Sequence, residues 1–256
     1  MTQKIKAGAV SYLNTRPLIY GFEDGTMKDE LELVIDYPAN IATLLQNDEI
    51  DIGLVPVAVI PSLHEHYIIS DYCIGCNGAV ASVCLFSDVP LQEIEHVLLD
   101  YQSRTSVALL KILLKEHWKI LPHLIAGTDN YEEKITGTTA GLVIGDRALK
   151  QRLKSKYIYD LGLAWKEMTG LPFVFAAWVA NKKLPDSFIV SFNKATAKGF
   201  NHINEIESSF NFPEYDMHYY YNSNIDYRLD EKKKTALVLF LKYVTLENRA
   251  DNILQR

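Results

Sequence analysis

Apolar residues along the chain occur in two patterns, short runs typical of strands and longer stretches with helical spacing. Residues 5–10 form a short apolar run that ends at a turn. Leu31, Leu33 and Ile35 alternate with polar residues, as in a half-buried strand. The other stretches predicted to contain strands are 50–59, 67–87, 97–100, 123–126, 140–144 and 173–179.

Helices are expected between these strands. Segment 15–20 carries Pro17 in its first turn, where a missing N–H is tolerated. Further helices are predicted at 38–45, at 105–118, from 146 onward, and over most of the chain after 185. This alternation predicts an α/β fold with largely parallel sheet.

A weak internal repeat suggests two lobes of related design. Segments 51–56 and 141–146, about 90 residues apart, each place a buried strand between two helices. No linker rich in Gly, Ser or Pro separates the lobes, so the chain is expected to cross between them in extended strands. The first lobe would then be discontinuous, residues 1–86 plus 176–256, and the second would be 87–175.

Composition and charge narrow the classes of function. Of the 256 residues, 48% are hydrophobic and 23% are charged, which is typical of a globular protein. The net charge is -6, and neither half has the large positive excess of a nucleic-acid-binding protein. We interpret the densest basic run, at 147–156, as a solvated helix face rather than a phosphate-binding patch.

The start of the chain and its cysteines bear on the compartment. The N-terminal residues lack the long apolar region of a secretory signal, and no apolar run reaches the ~18 residues of a membrane span. Three cysteines, an odd number, fit a reducing compartment. We therefore expect a cytoplasmic protein that contacts no membrane.

Five segments occur in the order shown by one enzyme family. They are 11–18, 53–58, 103–109, 144–149 and 160–176. Through them the chain resembles the chorismate dehydratases of the futalosine route to menaquinone, over about residues 8–180. The remaining C-terminal residues resemble that family only in length and helical character.

The resemblance implies a fold, a reaction and a partner. The fold is the two-lobed, type II periplasmic-binding-protein-like fold, α/β in class, with a ligand cleft between the lobes. The reaction is a lyase reaction that removes water from chorismate and leaves 3-[(1-carboxyvinyl)oxy]benzoate. No metal or organic cofactor is implied, and the partner is the small dicarboxylate substrate. The sequence leaves a monomer and a dimer equally open.

Chorismate carries two carboxylates, so backbone N–H groups at helix starts and small hydroxyl side chains are expected around it. Ser103, Thr105 and Ser106 follow a predicted strand at the start of a helix, where they can bind substrate, cap the helix, or do both. Gly145 and Asp146 also follow a buried strand, and Asp146 either caps the next helix or helps to organise the cleft.

Four more residues complete the expected site. Ser11 and Asn14 lie just past the first strand, and Asn14 can hold a carboxylate or the departing hydroxyl, or form an Asx-turn. Arg16 faces either the ligand or an acidic surface partner. Ser82 lies in an otherwise apolar strand and is expected to be catalytic with Asn14, the alternative being a satisfied buried hydroxyl.

The matched segments contain no histidine, so they offer no evident side-chain base. The histidines lie outside them, at His64, His66, His96, His117, His123, His202 and His218. One carboxylate of the substrate can take the proton instead. A zinc site at Cys73, Cys76 and Cys84 with His64 and His66 lacks a second clean pair of ligands, and we interpret the thiols as buried. We interpret the aromatic run 215–221 as packing.

Two alternative functions stay open. A solute-binding protein or ligand sensor of the same fold would bind a small carboxylate without turnover, although the absence of an export signal argues against transport. The related 1,4-dihydroxy-6-naphthoate synthase is the other alternative. Segment 11–18 and the lack of a well-placed histidine argue against it.

Overall fold

Strands and helices alternate along residues 4–254, the part of the chain that the computed structural model describes, with side chains described up to residue 247. The strands are β1 Ile5–Val10, β2 Leu31–Asp36, β3 Ile52–Pro56, β4 Tyr67–Cys76, β5 Val83–Ser87, β6 His96–Leu99, β7 His123–Ala126, β8 Thr139–Ile144, β9 Tyr157–Asp160, β10 Phe173–Ala180 and β11 Asp226–Arg228. The α-helices are α1 Arg16–Glu23, α2 Pro38–Gln46, α3 Arg104–Ile112, α4 Gly145–Gln151, α5 Leu161–Thr169, α6 Asp186–Lys198, α7 Ile203–Ser208, α8 Met217–Tyr219 and α9 Glu231–Leu254.

The strands form two mixed sheets. The six-stranded sheet has the order β11-β4-β10-β3-β1-β2, and the five-stranded sheet has the order β7-β6-β8-β5-β9. β1 runs parallel to β2 and β3, and β6 runs parallel to β7 and β8. However, β10 is antiparallel to β3, and β5 is antiparallel to both β8 and β9. The prediction of largely parallel sheet is therefore wrong, because a period-two pattern reports which face is buried and not the direction of the strand.

Contacts divide the chain into two units, each made of separate segments. Unit 1 is Met1–Gly75 with Phe175–Asp230, and unit 2 is Cys76–Val174 with Glu231–Arg256. The lobes expected from the sequence differ, since they assign residues 76–86 and 231–256 to the first lobe. The C-terminal helix belongs to unit 2 because Phe240 of α9 packs against Trp165 and Phe173, with ring centroids 6.1 and 5.0 Å apart.

Each unit has its own apolar core. In unit 1 every residue of β3 is buried, and so is Trp178 of β10. Its indole packs edge-on against Phe22 of α1 and Phe192 of α6, with centroids 6.0 and 5.1 Å away. In unit 2 a buried cluster includes Phe86 of β5 and Tyr131. These cores fix the strand ends from which the polar residues discussed below emerge.

Some elements differ from the sequence-based expectation. The helix predicted at 105–118 is α-helical only to Ile112, and a π-helical segment, Leu113–Trp118, continues it to Lys119, whose φ is 57°. β9, α5 and β11 have no counterpart in the sequence prediction. Within the described part of the chain, no helix combines the length and apolar character that crossing a bilayer demands.

Candidate functional site

The turn after β1 carries the first group of candidate residues. Ser11 is exposed, and its N–H donates to the Asp36 carbonyl at 3.2 Å. A 3-10 turn, Leu13–Thr15, then leads into α1, and Asn14 in that turn is only 8% exposed. Among the described residues of unit 1, the donor to Asn14 Oδ1 is the Thr15 hydroxyl, at 3.4 Å, so no Asx-turn forms. The Asn14 amide N–H₂ has no acceptor among those residues, which leaves it able to donate to an anionic ligand.

Arg16 begins α1 and points along the surface of unit 1. Its guanidinium donates to Ser209 Oγ at 3.3 Å and lies 4.9 Å from the centroid of the Phe210 ring. The alternative of an acidic surface partner is therefore wrong, since the guanidinium contacts a hydroxyl and an aromatic face instead. Substrate contact by Arg16 stays a prediction.

Two tyrosines hold the turn that contains Asn14. Tyr221 Oη donates to the Leu13 carbonyl at 3.0 Å, and Tyr227 Oη donates to the Asn14 carbonyl at 2.9 Å. Both rings are buried, and burial raises the pKa of the Tyr227 hydroxyl. The interpretation of the aromatic run as packing is therefore incomplete, because a buried hydroxyl of that run also fixes the backbone of the turn.

Unit 2 supplies the second group at the start of α3. Ser103 is the N-cap residue, and its Oγ accepts from the Ser106 N–H at 3.1 Å and donates to Ser106 Oγ at 2.8 Å. Ser103, Thr105 and Ser106 are all buried. Capping accounts for Ser103, as one of the two open interpretations holds, while Thr105 and Ser106 place further hydroxyls in the first turn of the helix.

For the dicarboxylate ligand that the resemblance implies, we expect Thr105→Val to weaken binding more than it weakens the fold. Valine keeps the shape of threonine but removes the hydroxyl, and one hydrogen bond to a charged carboxylate accounts for about 10- to 150-fold in affinity. Isothermal titration with chorismate measures the affinity, and a thermal melt measures the stability. A variant that melts many degrees lower, yet whose folded fraction binds normally, would assign Thr105 a structural role alone.

Ser82 lies in a bend just before β5, and not inside a strand as expected. It is fully buried and belongs to unit 2. Its carbonyl accepts a hydrogen bond from the Gly145 N–H at 2.8 Å, which joins two candidate residues 63 positions apart in the sequence. Gly145 has a φ of 61°, a left-handed conformation that favours glycine at this start of α4.

Asp160 holds the bend that carries Ser82. Its carboxylate accepts the N–H groups of Val80 and Ala81 at 3.1 and 2.7 Å, and as the N-cap of α5 it accepts the Leu163 N–H at 3.1 Å. Burial raises the pKa of Asp160, while these N–H groups act in the opposite direction. Ala81 has a φ of 64°, an unfavourable conformation for a residue with a side chain, and the carboxylate stabilises it there.

Gly162 explains why the chain can pass so close to this bend. A Cβ atom at that position would lie 2.5 Å from Cys76 Sγ and 2.7 Å from the Gly78 carbonyl oxygen. The segment 160–162, matched by resemblance, therefore combines a carboxylate that holds the Ser82 bend with a glycine that allows α5 to approach it.

Asp146 lies half-buried in the first turn of α4, and the next residue, Arg147, reaches into unit 2. Arg147 pairs with Asp100 at 2.7 Å and with Glu132 at 2.6 Å, and it also donates to Gln102 Oε1 at 3.2 Å. The solvated-face interpretation of the basic run is therefore wrong for Arg147. The spacing of charged residues along the sequence cannot distinguish a solvated side chain from one that pairs with residues distant in sequence.

Asp100 is the buried end of this network. Burial raises the pKa of its carboxyl, and Arg147 opposes that shift. The carboxylate also accepts the Gln102 N–H and the Tyr131 hydroxyl, both at 2.8 Å. Because Gln102 precedes Ser103, Arg147 connects the start of α4 with the turn that leads into α3.

The three cysteines are buried, and none of them forms a disulfide. Burial raises the pKa of both Cys76 and Cys84, which opposes the thiolate form that a metal needs. Among the described residues, no group of three or more His, Cys, Asp or Glu side chains is arranged to hold a metal ion.

The structure thus brings the candidates together in two groups. In unit 1, Ser11 and Asn14 share the turn after β1, while Arg16 points toward Ser209. In unit 2, Ser82 is hydrogen-bonded to Gly145, and Ser103 is hydrogen-bonded to Ser106. Sequence reasoning missed Tyr221, Tyr227 and Arg147 as structural partners of these groups. Asp160 was missed as well, although its place in the matched segment 160–176 could have marked it as a candidate.

Solved structures identify the class of fold. A crystallised protein of Archaeoglobus fulgidus superposes with a TM-score of 0.72, at 14% identity, over 96% of this chain and 98% of its own. The periplasmic aliphatic sulphonate binding protein of Escherichia coli gives a TM-score of 0.63, at 13% identity, over 98% of this chain and 89% of its own. The fold is therefore that of type II periplasmic-binding-protein-like proteins.

Sequence comparison then identifies the family. The model of the menaquinone biosynthesis family matches residues 5–245, and the chain belongs to that family. A chorismate dehydratase of Thermus thermophilus is 28% identical over 241 residues, covering 82% of this chain and 85% of the relative. A chorismate dehydratase of Campylobacter jejuni is 29% identical over 244 residues, covering 92% and 95%.

Proposed function

We propose that this protein is a chorismate dehydratase that forms 3-[(1-carboxyvinyl)oxy]benzoate for menaquinone biosynthesis. The observation that carries the proposal is the family match over residues 5–245, together with two relatives of that name aligned over most of the chain. Three cysteines without a disulfide are typical of a protein in a reducing compartment, and we propose that the reaction takes place in the cytoplasm.

The reaction asks little of the protein beyond binding and the direction of two proton movements. A ring C–H bond breaks, its electron pair forms the new ring double bond, and the neighbouring hydroxyl leaves with a proton as water. Aromatisation of the ring supplies the driving force. A dianionic substrate requires donors that add no negative charge, which is what amide and hydroxyl side chains provide.

Two sets of residues are assigned to this task. Asn14 is proposed to hold a substrate oxygen through its amide N–H₂, and Ser82 is proposed as the second catalytic residue. Ser11, Arg16, Ser103, Thr105, Ser106 and Gly145 are proposed to contact the substrate, and Asp146 is proposed to organise the substrate-binding site.

The proton acceptor is proposed to be a carboxylate of the substrate. The candidate side chains Asn14, Ser103 and Thr105 are neutral and none is an effective base, and the histidines lie outside the matched segments. In this proposal the enolpyruvyl carboxylate removes the ring proton, while Asn14 and the serine hydroxyls hold the substrate in the orientation that permits it.

The purified protein is expected to convert chorismate to the aromatic product without added metal, and a chelator should leave the rate unchanged. Chromatography of the reaction mixture detects the product. Loss of activity with chelator and its recovery with zinc would overturn the metal-free proposal. Binding without turnover would favour a sensor or solute-binding protein.

An analogue with an amide in place of the enolpyruvyl carboxylate extends the same experiment. An amide is a far weaker base, so the analogue should bind but fail to react. Reaction at the normal rate would exclude that carboxylate as the proton acceptor.

A further inference from the structure

We infer that Tyr221 and Tyr227 are positioning residues that fix the Asn14 turn for catalysis, an inference that rests on the proposed function. The two hydroxyls donate to consecutive carbonyls, those of Leu13 and Asn14. Both tyrosines lie more than 200 positions further along the chain. They belong to the C-terminal part, outside the segments that carry the resemblance.

The arrangement constrains the turn at adjacent peptide groups. The turn closes on itself through the Thr15 N–H, which donates to the Tyr12 carbonyl at 3.0 Å. The tyrosine bonds, of 3.0 and 2.9 Å, add two fixed points on the carbonyl side of the same turn. The Leu13 and Asn14 carbonyls belong to the two peptide groups that flank the Asn14 Cα. Because both groups are held by hydrogen bonds, neither can rotate freely, and the direction in which the Asn14 side chain leaves the backbone is fixed.

The tyrosine rings are themselves held in place. Tyr227 packs against Phe200, with ring centroids 5.2 Å apart, and Tyr221 packs against Tyr220 at 5.7 Å. Both rings are buried within unit 1. Burial also keeps the Tyr227 hydroxyl protonated over the working pH range, so it acts as a permanent donor to the Asn14 carbonyl.

The consequence concerns the orientation of a single amide. Hydrogen bonds weaken steeply outside a narrow range of distance and angle, and a displacement of about 1 Å in a catalytic group can cost about 100-fold in rate. The Asn14 amide is bonded to Thr15 through Oδ1 alone. The backbone of the turn therefore decides where its N–H₂ group points, and the tyrosine hydroxyls decide the position of that backbone.

Tyr227→Phe tests the inference, because it removes one hydroxyl and retains the ring. We expect kcat/KM for chorismate to fall about tenfold, with most of the loss in kcat, and Tyr221→Phe with Tyr227→Phe to lose about 100-fold. Tyr215→Phe is the matched control, since its hydroxyl donates to Asn224 Oδ1 at 3.0 Å. That control should retain wild-type kcat.

A double-mutant cycle separates positioning from general stability. In an Asn14→Ala background, Tyr227→Phe should cause no further loss in kcat/KM, because it acts through the missing amide. Additive losses in kcat/KM would overturn the inference, as would an unchanged kcat in the single variant. Circular dichroism and melting temperature identify variants that fail to fold. If Tyr227→Phe is one of them, Tyr221→Phe takes its place in the cycle.

The outcome is distinguishable from failure of the proposed function. If the wild-type protein binds chorismate without turnover, the proposed function fails, and the same cycle is then measured on the Kd for chorismate. Coupling between Tyr227 and Asn14 in Kd would uphold the positioning role. Independent effects on Kd would refute it.

Discussion

Asn14→Asp should lower kcat/KM for chorismate at least as far as Asn14→Ala does, although aspartate is nearly the same size as asparagine. Alanine removes one hydrogen bond to a charged oxygen, a loss of about 10- to 150-fold. Aspartate removes the same donor and adds a negative charge facing a dianion. At 4 Å that repulsion is worth about 1 kcal/mol in water and about 4 kcal/mol at the effective dielectric near a protein surface.

The measurement is steady-state turnover of chorismate by both variants, with circular dichroism to establish that each is folded. Asn14 is largely buried, so the melting temperature of the aspartate variant is needed to correct for any loss of folded protein. An aspartate variant with near wild-type kcat/KM would remove Asn14 from the site.

Asp160→Ala should both destabilise the protein and abolish most of its turnover. The substitution deprives the N–H groups of Val80, Ala81 and Leu163 of their acceptor. The lost helix cap and hydrogen bonds to a charged acceptor together amount to about 3 kcal/mol, a figure below the full sum because water can replace part of the lost interactions. Turnover should fall further than stability explains, because the bend that carries Ser82 is no longer held.

Urea denaturation gives the change in stability, and the activity per folded molecule gives the effect on the bend. Asp24→Ala is the control, since its carboxylate also accepts a backbone N–H, that of Thr26 at 2.9 Å, but lies at the end of α1 away from the proposed residues. The control should retain its activity per folded molecule. If Asp160→Ala is destabilised yet equally active per folded molecule, the carboxylate does not act through Ser82.

Much of the fold could be predicted from the sequence because its central strands are buried on both faces. β3 and β10 are continuous apolar runs, and a run of that kind has a local signature. β9 is short and half-buried along its length, so neither its alternation nor its hydrophobicity distinguishes it from a loop. The direction of β10 relative to β3 depends on the path of the chain between the two strands, and no local sequence pattern encodes that path.

In the candidate site, too, some features could be predicted from the local sequence and others could not. Ser103 as a helix cap and Gly145 at a turn follow from residue type and neighbours. By contrast, the partner of Tyr227 is 213 positions away, and the Val80 and Ala81 N–H groups that bind Asp160 are about 80 positions away. Contacts of that kind are set by packing, so only the folded structure reveals that these side chains hold the candidate catalytic residues.

The order of strands in the six-stranded sheet has a consequence for synthesis on the ribosome. β10 lies between β4 and β3, yet it is made roughly 100 residues after either of them. Until residues 173–180 have emerged, β3 and β4 each expose an edge of unpaired N–H and C=O groups, which is a template for pairing with another chain. Unit 1 therefore completes its sheet late, and until then its open strand edges are exposed to pairing with another growing chain.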